Sequence, residues 1–135
     1  MTMKQKTSIE SSTEIPNGAV VISPVEDNNV FANLAASLAE VRKLKGVTGY
    51  ILRNDTSAIV DIADQEKIID YAILSSQISD SSLEIAQQFK LTNIESVLVE
   101  GKEVKVLCMS VGKNKMGIFM ERTATHEHVI KRILL

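Results

Sequence analysis

Read at helical spacing, residues 64–90 carry two apolar stripes where one would suffice. Tyr71, Leu74, Ile78, Ile85 and Phe89 fall on the first, and Ile69, Ala72, Ile73, Leu83 and Ala86 on the second, offset from it. A surface helix of a small monomer usually shows one apolar face. The pattern therefore predicts a long helix that packs on its own sheet and also meets something else, most simply a second copy of the chain. The middle of the run, Ser75-Ser76-Gln77-Ile78-Ser79-Asp80-Ser81-Ser82, is rich in hydroxyl side chains that compete for backbone hydrogen bonds. Two readings follow. In one the helix breaks near Ser79, and Ser81 caps a second helix with Glu84 as its capping-box partner. In the other, preferred here, the helix is continuous or merely kinked, and its small side chains let a partner helix approach closely.

The pattern divides the rest of the chain cleanly. Residues 1–14 are polar and are expected to form a mobile tail. Ile15-Pro16-Asn17-Gly18 is a turn signal, and Ala19-Val20-Val21-Ile22, closed by Ser23-Pro24, reads as an extended clip over 15–24. Its bounding prolines suit a piece laid along a sheet edge or against a helix. The folded domain is expected over 25–135. Over 27–44 Phe31, Leu34, Ala35, Leu38 and Val41 form one helical stripe, with Asn28 or Asn29 placed to cap it. Glu26 and Asp27 sit at the positive end of that helix dipole, Arg42, Lys43 and Lys45 at the negative end, and Gly46 is the natural stop.

Residues 47–53 and 57–62 read as strands joined across Asn54-Asp55-Thr56, with Asn or Asp in the left-handed position. After the long helix, 93–100, 103–111 and 115–121 read as three more strands joined by tight turns, an antiparallel meander. The apolar runs in 104–111 and 116–120 belong to strands covered on both faces. The last run, 125–135, repeats Val129, Ile130, Ile133 and Leu134 as a short helix with Lys131 and Arg132 in its final turn. The order is α-β-β-α-β-β-β-α. It predicts an α+β sandwich, a profilin-like five-stranded antiparallel sheet with helices on both faces.

Composition narrows the function more than it identifies it. The 135 residues fit one domain whose core needs no disulfide or metal. With a net charge of −2 and basic residues scattered, there is no footprint for nucleic acid or for anionic membranes. The apolar run 18–22 is far short of a membrane span and no secretory leader opens the chain, so a cytoplasmic protein is expected. Cys108, the one cysteine, lies in an apolar run and reads as a small buried hydrophobe.

Gly112 and Gly117 have phosphate-loop spacing, but Ile118-Phe119 follow where Lys and Ser or Thr are required. Neither a serine-hydrolase elbow nor a dinucleotide fingerprint occurs, and a non-enzyme without cofactor is expected. In His126-Glu127-His128 the two imidazoles, two residues apart on a helix, point to different faces and make a poor metal set. Arg53, beside the first hairpin, is the arginine best placed to offset charge on a transferring phosphoryl group, but a solvated turn arginine is the ordinary reading.

The order of elements, Leu44-Lys45-Gly46-Val47-Thr48-Gly49-Tyr50 leading into the first strand, the long helix, and Val99-Glu100-Gly101-Lys102-Glu103 between two later strands resemble the Roadblock family. Its bacterial and archaeal members are small regulators of Ras-like GTPases. Asp55-Thr56 stands where members often carry Asp-Gly, and the 15–22 clip is no core element of the family. The resemblance implies a non-catalytic homodimer in which the long helices lie side by side and the 93–100 strands pair. It also implies partner remodelling rather than an inserted arginine, which leaves Arg53 without support. Tyr71, Leu74, Ile78, Ile85, Phe89 and Val97 are the candidate dimer interface. Gln77, Asp80, Ser81 and Glu84 are candidate contacts to a small GTPase. The alternatives are a small-molecule sensor of profilin-like or PAS-like fold, which would need a cavity, and a structural subunit of a larger assembly.

Overall fold

The computed structural model describes residues 28–91 and 96–134. The tail over 1–14, the clip over 15–24 and the dipole partners Glu26 and Asp27 lie outside the described residues. Helix α1 (Asn28–Val41) buries Phe31, Leu34, Ala35, Leu38 and Val41, the whole predicted stripe. The helix begins at Asn28 and takes in Asn29. It also ends earlier than the apolar pattern, because the Lys43 and Leu44 amides turn back to the carbonyls of Glu40 and Val41. Gly46 then takes φ +87°, the left-handed conformation that glycine adopts without steric cost, and reverses the chain.

Strands β1 (Val47–Arg53) and β2 (Ala58–Ile62) form the first hairpin. Its turn uses no left-handed residue, contrary to the expectation for Asn54 or Asp55. Instead the Asn54 side-chain oxygen accepts from the amides of Thr56 (2.9 Å) and Ser57 (2.8 Å), so a side chain does the work of the missing glycine. A short 3-10 turn (Gln65–Lys67), capped by Asp64, leads into helix α2 (Ile68–Gln88), which is continuous through Ser79. Here Ser75 and Ser82 hydroxyls bond carbonyls three residues back, at Ala72 and Ser79, satisfying themselves without breaking the helix. Strands β3 (Ser96–Glu100), β4 (Val104–Val111) and β5 (Asn114–Glu121) form the meander, and helix α3 (His126–Leu134) follows.

The sheet is antiparallel throughout, in the order β2-β1-β5-β4-β3. Strand alternation sorts its side chains into two cores. Tyr50, Leu52, Leu107, Met109, Met116, Ile118 and Met120 face α1 and α3 in a cluster of sixteen buried residues. Ile51, Ile62, Val106, Cys108 and Phe119 face α2, and these five complete the buried part of the second cluster. The α2 side is therefore much the thinner core.

In each core burial holds one group in its protonated form. Burial pushes the Tyr50 hydroxyl up to about 12, with Asp61 adding to the shift and Arg42 opposing it. Burial likewise pushes the Cys108 thiol up to about 11, partly offset by Arg53. Both groups keep their protons to higher pH in the folded chain than in the unfolded one. The stability they contribute is complete below the unfolded values of 9.0 and 10.0 and is lost as pH rises through the folded ones. The melting temperature is expected to hold up to about pH 9 and fall above it. In thermal melts against pH, Cys108→Ala should remove the lower part of that fall and Tyr50→Phe the upper; a fall unaltered by both would refute the account.

Candidate protein-binding face

Helix α2 is not seated squarely on either of the two apolar stripes. Only Ser75, which lies between them, and Ala86, at the inner edge of the second, are buried on it, and these small residues mark the row that faces the sheet. The cause is Gly117 of β5. A Cβ placed there would come 2.9 Å from the Ser75 Cβ, so helix and strand approach where neither carries a large side chain. Thus Ser75 serves close approach to the chain's own sheet, where the sequence pattern had assigned the small residues to a partner helix. Each stripe is split by this seating. Tyr71 and Ile78 from the first, and Ala72 from the second, touch the lower core, Tyr71 stacking on Phe119 with centroids 4.3 Å apart. The outer members of both stripes are left in solvent: Leu74, Ile85 and Phe89 on one flank, Ile69, Ile73 and Leu83 on the other.

The hand of the sheet decides which flank lies toward which edge. The Gly101 amide bonds the Val104 carbonyl, so Val104, Val106 and Cys108, which face α2, direct their backbone groups toward β3. Helix α2 and β4 run the same way, because α2 leaves from the end of β2 and delivers the chain to the start of β3. For L-residues and a right-handed helix, this puts Leu74, Ile78, Ile85 and Phe89 on the β3 side of α2. Ile69, Ile73 and Leu83 lie on the β1–β2 side.

Strand β3 pairs only with β4 among the described residues, leaving its other edge open. Val97 and Val99 stand opposite Cys108 and Val106 and therefore on the α2 face, Val97 half-buried and Val99 exposed. An apolar strip thus runs from Phe89, Ile85 and Leu74 across to the valines of an unpaired edge. Val99 was missed in the sequence reading although its period-2 relation to Val97 places it on the same face. The helix C-terminus brings Phe89 to this strip, 71% exposed. It closes with Leu91 N–H on Ala86 O (2.9 Å) and Lys90 at φ 57°, a left-handed cap built on lysine instead of glycine.

The outer surface of α2 is polar, and Gln77, Asp80, Ser81 and Glu84 are all exposed. Asp70, Asp80 and Glu84 are the charges of the helix, which has no lysine or arginine between Ile68 and Gln88. Asp80 lies between Ile73 and Leu83 at helical spacing, Glu84 is one turn beyond it toward the outer midline, and Asp70 is one turn before both Ile73 and Leu74, at the border of the two flanks.

Other clusters lie elsewhere. His126 Nδ1 faces the buried Lys105 ammonium at 3.3 Å, while His128 is exposed at the rim of a cavity, so the two imidazoles do not converge. Among the described residues no three His, Cys, Asp or Glu side chains form a metal-binding group. The open cavity, about 570 Å³, lies between the turn after α1 and the turn before α3, lined in part by Lys45, Glu121, Thr123 and His128. It is not enclosed between sheet and helices. Gly112 turns the β4–β5 hairpin and Gly117 is mid-strand, so they form no phosphate loop. Arg53, at the end of β1, is half-buried and, two residues on from Ile51, lies on the α2 face of the sheet, where its charge acts on the Cys108 thiol. No helix among the described residues is long and apolar enough to cross a membrane.

No protein-family model and no curated protein matches the chain. Among solved structures, it is similar to the crystal structure of a Roadblock/LC7 domain from Streptomyces avermitilis, with a TM-score of 0.60 and 14% identity, over 70% of this chain and 82% of that one. The chain has the Roadblock/LC7 fold, as the order of its elements implied.

Proposed function

We propose that the protein is a non-catalytic homodimeric regulator or scaffold that binds a small Ras-like GTPase. The observation that carries the reading is the apolar strip of Leu74, Ile85 and Phe89 beside the open edge of β3. An unpaired edge strand and a contiguous apolar patch are each a liability in a solitary molecule. A second copy related by a twofold axis covers both at once, extending the sheet through β3 and laying the two α2 helices together. The likeness in fold to a Roadblock/LC7 domain supports this reading, and so do the exposed polar residues along the outer face of α2. Tyr71, Ile78 and Val97, half-buried within the protomer, contribute only their outer surfaces to that contact.

The paired helices make a rigid platform, and the GTPase contacts it through Gln77, Asp80, Ser81 and Glu84. The protein acts on its partner's conformation or location without adding a reactive group. The direct test is titration of a Ras-like GTPase, loaded with a non-hydrolysable GTP analogue, against wild type and the Gln77→Ala, Asp80→Lys variant. The variant should bind at least about tenfold more weakly, as loss of a central contact produces. A GTPase that binds both equally would remove these residues from the partner surface.

A further inference from the structure

We propose that Lys105, His126 and Glu127 form a pH-sensitive latch on the first turn of α3, closed while the His126 ring is neutral and open once it takes a second proton. The inference is independent of the proposed function, because α3 lies on the face of the sheet opposite α2. Lys105, on β4, is 4% exposed, and no ion pair among the described residues includes it. Its ammonium, which can only donate, is held by the Ala124 carbonyl and by His126 Nδ1 at 3.3 Å. A ring nitrogen that accepts a hydrogen bond carries no proton of its own. The neutral ring therefore holds its proton on Nε2, which faces Glu127 Oε2 at 3.6 Å. This contact fastens the start of α3 to β4, across the turn that joins β5 to the helix.

A second proton can go only to Nδ1, the atom turned toward the ammonium. There it replaces an acceptor by a donor and sets two cations side by side, at the positive end of the α3 dipole. Glu127 attracts the charged ring from the other side, but its side chain is 65% exposed, so solvent screens that attraction. Glu100 on β3, Glu103 ahead of β4, and Glu121 and Arg122 at the end of β5 are exposed, and among the described residues none of them forms an ion pair with Lys105 or His126. Repulsion at Nδ1 thus prevails. The charged ring, whose side chain is already 25% exposed, turns out to water, and Lys105 keeps only the Ala124 carbonyl. Because Ala124 and Thr125 line the open cavity beside α3, release of the latch also reshapes that wall.

Nuclear magnetic resonance of the full chain, with nitrogen-labelled histidine, reads the state of the ring, and amide exchange corrected for its intrinsic pH dependence reads the helix. At about pH 8 the His126 ring should be the Nε2–H tautomer. Between about pH 8 and about pH 5, above the range where most carboxylates titrate, protection of the Val129 and Ile130 amides should fall roughly tenfold, as loss of one charge-assisted hydrogen bond produces, while that of α2 holds. His126→Asn keeps an acceptor in place of Nδ1 without a titrating ring and should abolish the fall. His128→Asn should leave it intact. An Nδ1–H tautomer in the wild type, a fall of the same size in His126→Asn, or an equal fall along α2 overturns the inference.

Discussion

Ile85→Asp should convert the dimer to a folded monomer. Ile85 is 48% exposed on the β3-side flank of α2, so in the isolated protomer an aspartate at this position remains hydrated and costs little stability. In the proposed dimer the same carboxylate, and its twofold copy, would be stripped of water with no cation on either helix to receive it. An unpaired buried charge costs on the order of 3–5 kcal/mol, which raises the dimer dissociation constant by roughly two to four orders of magnitude. Size-exclusion chromatography with light scattering across a dilution series should give the mass of one chain, with circular dichroism and melting temperature close to wild type. Ile85 is a better probe than Ile78, whose side chain also packs against the sheet core, so that loss of fold and loss of dimer would be confounded there. A variant that stays dimeric at micromolar concentration would remove the β3-side flank from the interface. Ile73→Asp, on the opposite flank, is the control that should leave the mass unchanged.

Most of the architecture was legible because the local signals agree with one another. The α1 stripe from Phe31 to Val41, the Gly46 stop, and the runs ending at Arg53, Ile62, Glu100, Val111 and Glu121 each occur where periodicity and turn chemistry coincide. Agreement of this kind between local preference and tertiary packing is what lets a chain fold to one structure. What failed was the orientation of α2. Hydrophobic periodicity assumes that the buried face of a helix is its greasiest, and here that face is built from Ser75 and Ala86. The reason lies some forty residues away in Gly117, whose missing side chain can be interpreted only after the sheet has placed it beneath Ser75. Both apolar stripes were found correctly, yet they are flanks of the contact with the sheet. The Asn54 turn is a smaller case of the same kind: the residue was recognised as turn-forming, while its choice of side-chain bonds over a left-handed backbone depended on geometry.

Phe119→Ala should be the most damaging single truncation on the α2 side, and its consequences should be unequal across the molecule. Phe119 is fully buried in the middle of β5, packed among Ile51, Ile62, Val106 and Cys108, and its ring stacks on Tyr71 at an interplanar angle of 10°. Removing the ring forfeits its transfer energy and leaves a cavity that the adjoining strands cannot close, at about 3–5 kcal/mol. Set against a typical total of about 5–15 kcal/mol, that is a large fraction, and for a domain of roughly this size it lowers the melting temperature by roughly 10–30 °C. The damage falls on the five-residue cluster beneath α2 and spares the sixteen-residue cluster beneath α1 and α3. Amide hydrogen exchange should therefore accelerate along α2 well before it does along α1. Because α2 supplies both the proposed dimer contact and the proposed partner platform, dimer formation and GTPase binding should weaken together in this variant, although Phe119 contacts neither partner. A double-mutant cycle with Tyr71→Leu isolates the stacked pair and should give a coupling of about 0.5–1.5 kcal/mol. Uniform loss of protection in α1 and α2, or zero coupling, would mean that the second core is not the weaker seam on which the platform is mounted.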